Sequence, residues 1–185
     1  MSRAWAMPSA ETFSIPPIAQ LVKWWLRDCK VIIDPFARNS HLGTITNDLN
    51  PETEAQHHLD AIEFLRMLIN RNTIADAVIF DPPYSVRQVN ELYQVQGIDK
   101  MVWSNWTGMR ELKQTLTQLT RSDGIAICCG WTSNGLGMEN GWEMEEVLLV
   151  PHGGGHNDTI VTVERKRLSQ QVFNFGGNNG TALKP

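Results

Sequence analysis

Ala77-Val78-Ile79-Phe80-Asp81-Pro82-Pro83-Tyr84 is the stretch that decides the fold. Four apolar residues running into two prolines read as a buried parallel strand that stops at a stiff loop. In open α/β sheets, ligands bind just outside the carboxyl ends of such strands. The loop sets a carboxylate (Asp81), a proline carbonyl (Pro82) and an aromatic ring (Tyr84) at that position. Prolines fix φ and carry no N–H, so Pro82 and Pro83 leave acceptors facing a ligand. Two acceptors side by side suit an exocyclic NH2 on a planar base, and an aromatic ring suits stacking on that base. The plainer alternative is an Asp-Pro turn with Tyr84 in ordinary packing.

Outward from this strand, elements alternate. A helix is expected over Ala19–Asp28, with Leu21, Trp24, Trp25 and Cys29 near one face; before it, Thr12–Ile18 reads as extended or turn, and Met1–Ser9 as loosely ordered. Strands are expected at Val31–Ile33 and Thr44–Thr46, and a third at His57–Asp60. A helix over Ala61–Arg71 carries Ile62, Leu65 and Ile69, with Leu68 beside them; a second, Met109–Arg121, carries Leu112, Leu116 and Leu119. A buried strand at Gly124–Trp131 and a hairpin of Trp142–Val150 with Thr159–Glu164, joined by the Gly-rich turn Pro151–Asp158, complete the pattern. The sum is an α/β three-layer sandwich with a mostly parallel sheet and an antiparallel C-terminal hairpin. One domain over residues 1–168 and a flexible tail over 169–185, rich in Asn and Gly, are expected. Only Pro35–Gly43 separates the first two strands, so the helix between them must be nearly absent.

Composition bounds the function. The 185 residues are 42% hydrophobic and 19% charged, as in ordinary globular domains. Lys23, Arg27, Asp28 and Lys30 break up the early apolar stretch, and no basic-then-apolar leader pattern opens the chain, so a cytoplasmic location is expected. Cys29, Cys128 and Cys129 are odd in number, and the last two point to opposite faces of a strand; they read as buried thiols. A net charge of −4 argues against strong non-specific nucleic-acid binding, although Arg165-Lys166-Arg167 offers a local basic patch or, more simply, a solvated strand end.

Every candidate polar residue falls at a strand end: Asp34, Asp48, Asp60 and Asp81. An acid at the second strand end is placed to take the ribose hydroxyls of an adenosine cofactor. Each Asp alone is equally suited to capping a helix. Together the residues resemble the S-adenosylmethionine-dependent amino-methyltransferases, most closely the N6-adenine enzymes, over roughly Thr12–Arg165. Asp81-Pro82-Pro83-Tyr84 resembles that family's catalytic motif. Asp34-Pro35-Phe36-Ala37 resembles the start of its cofactor motif, and Phe13-Ser14-Ile15-Pro16-Pro17 its upstream segment against the methionine end of the cofactor. Asp48, followed by Leu49, matches the ribose-binding acid, and Asp60-Ala61 the position that meets the adenine. Where the family continues Gly-Ser-Gly, this chain reads Arg38-Asn39-Ser40, which puts Arg38 within reach of the methionine carboxylate.

The resemblance implies a class I methyltransferase (Rossmann-like) fold, S-adenosylmethionine as cofactor, and methylation of adenine N6 in DNA. RNA or cytosine N4 as acceptor, or a non-catalytic nucleic-acid-binding or regulatory subunit, are the alternatives. No block is long enough for a separate recognition domain, so the Ser85–Thr107 loop (with Arg87, Trp103 and Trp106), the His152–His156 turn or a second subunit must recognise the acceptor; a homodimer is compatible with that. His152, His156 and Asp158 form a loose metal-like group without a fourth ligand, and no metal is expected.

Overall fold

The computed structural model describes residues 1–83 and 106–167, the side chains of 106 and 107 excepted. The expected tail, Tyr84 and nearly all of the Ser85–Thr107 loop lie outside the described residues, as does the side chain of Trp106. The elements run β1 (Ser2–Arg3), α1 (Pro16–Leu26), β2 (Ile32–Asp34), β3 (Ile45–Thr46), α2 (Ala61–Asn70), β4 (Ala75–Phe80), α3 (Trp106–Leu119), β5 (Thr120–Gly130), β6 (Trp142–Val150) and β7 (Thr159–Lys166). They form one seven-stranded sheet in the order β1-β6-β7-β5-β4-β2-β3. Only β7 runs against the rest: it pairs antiparallel with β5 and β6, while every other pairing is parallel.

The central strands are apolar because both of their faces are covered. Ala77, Ile79, Ile125, Ile127 and Cys129 face α1, while Val78, Phe80, Ala126 and Cys128 face α2 and α3. The neighbouring cysteines thus enter opposite cores, as strand alternation requires. Each fully buried Ile, Val or Leu contributes about 1.5–3 kcal/mol, and on α3 Leu112, Leu116 and Leu119 are all sealed.

Several boundaries differ from the sequence expectation, each for a local reason. Residues 2–6 are held by the sheet: Ser2 and Arg3 pair with Leu148 and Leu149, and the Ala6 N–H donates to the Pro151 carbonyl (3.3 Å). Helix α1 begins at Pro16, because prolines at the first helical positions sacrifice only N–H groups that have no intrahelical partner. Its buried stripe is then Ile18, Val22 and Leu26, and Trp24 lies outside with the Arg27 guanidinium 4.2 Å from its ring centre. On α2 the buried set is Ala61, Ile62, Phe64, Leu65 and Leu68, leaving Ile69 38% exposed. His57–Asp60 is not a strand; a single parallel bridge, Asn47 to His57, stands in its place.

The short β2–β3 connection also has no helix. Residues 35–44 cross over as turns, and the parallel pair they join spans only Ile33–Ile45 and Asp34–Thr46. The β5–β6 connection carries only a single 3-10 turn, Met138–Asn140, pinned by the buried Glu164 of β7, which accepts the N–H groups of Leu136 (2.6 Å) and Gly137 (3.1 Å). The basic triplet is spent on structure. Arg165 pairs with Glu145 (2.6 Å), Arg167 lies 3.9 Å from Glu143, and the Lys166 ammonium donates to the carbonyls of Thr117 in α3 and Thr120 at the start of β5. Among the described residues no helix is long and apolar enough to cross a membrane.

Candidate active site

The sheet's carboxyl edge gathers the ends of β3, β2 and β4, and with them Asp48, Asp34 and Asp81. Asp34 is 0% exposed, with Gly43 packed against it so closely that a Cβ there would lie 2.8 Å from the Asp34 Cβ. Its Oδ1 accepts the Phe36 N–H (3.1 Å), and its Oδ2 is buried without a hydrogen-bond partner. Burial pushes the carboxyl up to about 8; the Phe36 N–H offsets part of this, and the charges of Asp81 and Asp48 add to it. Asp34 is therefore largely protonated at neutral pH. Asp81 is half-buried at the end of β4, beside a buried Pro82, and near enough to raise both Asp34 and the Cys129 thiol.

After β2 the chain turns through Pro35-Phe36-Ala37-Arg38. Phe36 packs edge-on against Phe80 of β4, ring centres 5.9 Å apart. Arg38 adopts φ 50, the left-handed region that glycine enters freely and other residues seldom do. The loop thus keeps a glycine-like conformation with an arginine in it. The Arg38 N–H donates to Asp48 Oδ2 (3.0 Å) and the Asn50 N–H to Asp48 Oδ1 (2.9 Å). A carboxylate accepts about four hydrogen bonds, so Asp48 retains capacity for ligand hydroxyls. The Arg38 guanidinium reaches the N-terminal segment, donating to the Ala10 carbonyl (2.6 Å) and lying 3.4 Å from Glu11 Oε1.

The remaining candidate residues fall around this rim. Asp60 caps α2, its carboxylate accepting the Ile62 N–H (2.9 Å), and Ala61 is buried at the first helical position. Leu49 is partly buried against the α2–α3 core. Phe13 and Ser14 lie in a 3-10 turn; Phe13 packs on the α1-face core, and the Ser14 hydroxyl donates to the Glu11 carbonyl (2.7 Å). Ile15 is buried as the N-cap residue of α1. Tyr84, the fourth motif residue, is outside the described residues.

Asn47 is a residue whose importance the sequence hid. It is 1% exposed, and its side-chain amide donates to the carbonyls of Pro35 (3.2 Å) and Leu59 (3.0 Å) while accepting the Leu59 N–H (3.0 Å). Its backbone accepts the Ala37 N–H (2.9 Å) and donates to the Asp34 carbonyl (2.9 Å). One side chain thus fixes the post-β2 loop and the approach to Asp60, replacing the ladder of a longer third strand. Removing it strands buried polar groups, at about 1–3 kcal/mol each. Asn47→Ala is therefore expected to lower unfolding free energy by about 2–4 kcal/mol in urea titrations; a loss under about 0.5 kcal/mol would contradict this role.

The histidine turn takes a different part. His152 is buried; its Nδ1 donates to the Ala6 carbonyl (2.9 Å), which leaves Nε2 to accept from the Thr159 hydroxyl (2.8 Å). Its imidazole ties the N-terminal strand to the hairpin. His156, Asn157 and Asp158 line an open depression of about 490 Å³ with Trp131, Leu149 and Ile160, over the ends of β5, β6 and β7.

No protein-family model matches the chain, and neither does any curated protein. Solved structures do match. TrmN from Thermus thermophilus superposes with a TM-score of 0.50 at 16% identity, over 82% of this chain and 49% of that one. NSun6 from Pyrococcus horikoshii gives 0.52 at 15% identity, over 80% and 51%. The N-methyltransferase NodS from Bradyrhizobium japonicum WM9, in complex with S-adenosyl-l-homocysteine, gives 0.53 at 8% identity, over 80% and 84%. This chain spans about half the length of the TrmN and NSun6 chains. With its seven-stranded sheet and single reversed strand, the protein has the class I methyltransferase-like, Rossmann-type fold.

Proposed function

We propose that the protein is an S-adenosylmethionine-dependent methyltransferase acting on the N6 amino group of adenine in DNA. The observation that carries this reading is the placement of Asp81-Pro82-Pro83 at the end of β4, on the same rim as Asp34 and Asp48. The residues fit the cofactor: Asp48 has capacity for ribose hydroxyls, Arg38 offers a cation for a carboxylate, and Asp34 Oδ2 is a buried carboxyl oxygen with no protein partner. NodS, an N-methyltransferase of the same fold holding S-adenosyl-l-homocysteine, supports both the cofactor and the amino acceptor.

When bound, S-adenosylmethionine supplies an electrophilic methyl group on a sulfonium. The protein's task is to present the acceptor nitrogen. Asp81 and the Pro82 carbonyl would each accept one N–H of the amino group, turning its lone pair out of the ring plane. As positive charge develops on nitrogen, Asp81 stabilises it electrostatically, and the surplus proton leaves to Asp81 or water afterwards. Positioning and electrostatics then supply most of the rate. Tyr84 is assigned to stacking on the base.

Calorimetric titration with S-adenosylmethionine tests the reading at its base. Saturable binding with one site per chain is expected. No saturable heat at any accessible concentration would favour a non-catalytic subunit.

A further inference from the structure

The acids Asp48, Asp60 and Asp81 make this rim hostile to an anion, and Arg38 is a cation set among them. A ligand with both an amino group and a carboxylate must place the carboxylate somewhere, and a guanidinium is the group best shaped to take it. Arg38 is already holding one: Glu11 Oε1 lies 3.4 Å from Nη2, while Nη1 is occupied by the Ala10 carbonyl at 2.6 Å. Both side chains of the ion pair are about half exposed, 53% and 43%, so the pair is open to exchange. Such pairs are weak, because solvent screens them and ordering two long side chains has an entropic cost. The guanidinium itself is well anchored. Its backbone is fixed by Asp48 and by the left-handed turn, and its second nitrogen can keep the Ala10 carbonyl while the first changes partners.

We propose that Glu11 is a built-in competitor for Arg38, a carboxylate from the N-terminal segment that the carboxylate of an adenosyl amino-acid ligand displaces. This rests on the reading of the rim as a site for S-adenosylmethionine. Arg38 is then a specificity residue for the amino-acid end of the ligand, and Glu11 sets how tightly that end is held. Displacement frees Glu11 but leaves the Ala10 carbonyl on Arg38, so the N-terminal segment stays in place when the ligand enters.

Two ligands that differ only in the amino-acid end separate this from a general change in the site. S-adenosylhomocysteine and 5′-deoxy-5′-methylthioadenosine would each be titrated calorimetrically into the wild type, Glu11→Gln and Arg38→Gly. The glycine variant suits the left-handed turn, so the loop conformation is retained. Glu11→Gln is expected to tighten S-adenosylhomocysteine about two- to five-fold, the range an exposed ion pair commands. Arg38→Gly is expected to weaken it by about ten-fold or more, as loss of a charged hydrogen bond does. Neither change should move the Kd of methylthioadenosine. An unchanged Kd for S-adenosylhomocysteine in Glu11→Gln, or an equal shift for both ligands, overturns the competition. Binding of neither ligand to the wild type overturns the cofactor reading itself, and this inference with it.

Discussion

Asp81→Ala is expected to lower the rate of methyl transfer by about 100- to 1,000-fold, the usual consequence of deleting one group that stabilises developing charge. Binding of S-adenosylmethionine should change less than about three-fold, because the groups assigned to the cofactor sit at the ends of β2 and β3, at the start of α2 and on the N-terminal segment, not on β4. The split between the two readouts is the informative part. A carboxylate that merely supported the loop would affect both. Asp81→Asn tests the charge separately: it keeps one acceptor oxygen but no longer offsets positive charge on the nitrogen. Transfer within ten-fold of the wild type in Asp81→Ala would remove Asp81 from the mechanism.

The second large effect is on stability, and its sign depends on pH. Asp34 sits at about 8 in the folded protein against 3.8 for the free side chain, so the folded state retains a proton that the unfolded state gives up. Between those values the unfolded state binds fewer protons, and unfolding free energy falls as pH rises. Each unit of displacement is worth about 1.4 kcal/mol, so the full cost approaches 5 kcal/mol at pH 8. Asparagine has nearly the same shape and no proton to lose, but leaves an amide nitrogen unpaired where Oδ2 stood, at about 1–3 kcal/mol. Asp34→Asn is therefore expected to be more stable than the wild type by about 2–4 kcal/mol at pH 8, raising Tm by roughly 5–15 °C. Near pH 4 the advantage should reverse, because the unpaired amide remains while the wild type no longer loses stability through Asp34. Glu164, also raised by burial, drives stability the same way in both proteins. His57, lowered by burial, acts oppositely: its contribution is lost as pH falls below 6.5. Neither slope is changed by the substitution at Asp34. Equal pH profiles for the two proteins would show that Asp34 does not titrate as its burial demands.

A residue that destabilises the fold in this way is more typical of a functional site than of a core. The sequence made Asp34 visible as a strand-end acid, but not its cost, which arises from Gly43 and the post-β2 loop closing over it. What was legible came from periodicity. Strand β4 reads as an unbroken apolar run because two helical layers cover it, and the bounds of Trp142–Val150 are legible because Gly141 precedes it and Pro151 follows. The hidden features depend on backbone groups or single polar side chains. Strand β1 is an edge pairing made by Ser2 and Arg3, whose side chains are exposed and carry no strand pattern. The start of α1 was masked by Pro16 and Pro17, which resemble breakers until their first-turn position is known. The third strand gave way to one bridge because Asn47 supplies the hydrogen bonds a ladder would. Arg38 looked like a departure from a glycine loop; its backbone is the glycine conformation, and its side chain is turned to Ala10 and Glu11.

Transfer of a methyl group to an adenine amino nitrogen can be followed with isotope-labelled S-adenosylmethionine. Duplex DNA, single-stranded DNA and RNA would be incubated separately with the protein, digested to nucleosides and read by mass spectrometry. Labelled N6-methyladenine nucleoside from a DNA pool, formed about 100- to 1,000-fold more slowly in the same pool with Asp81→Ala, is the predicted result. Labelled nucleoside from RNA alone would move the acceptor to RNA, label on cytosine N4 would move it to another base, and no label in any pool from a protein that binds the cofactor would contradict the account.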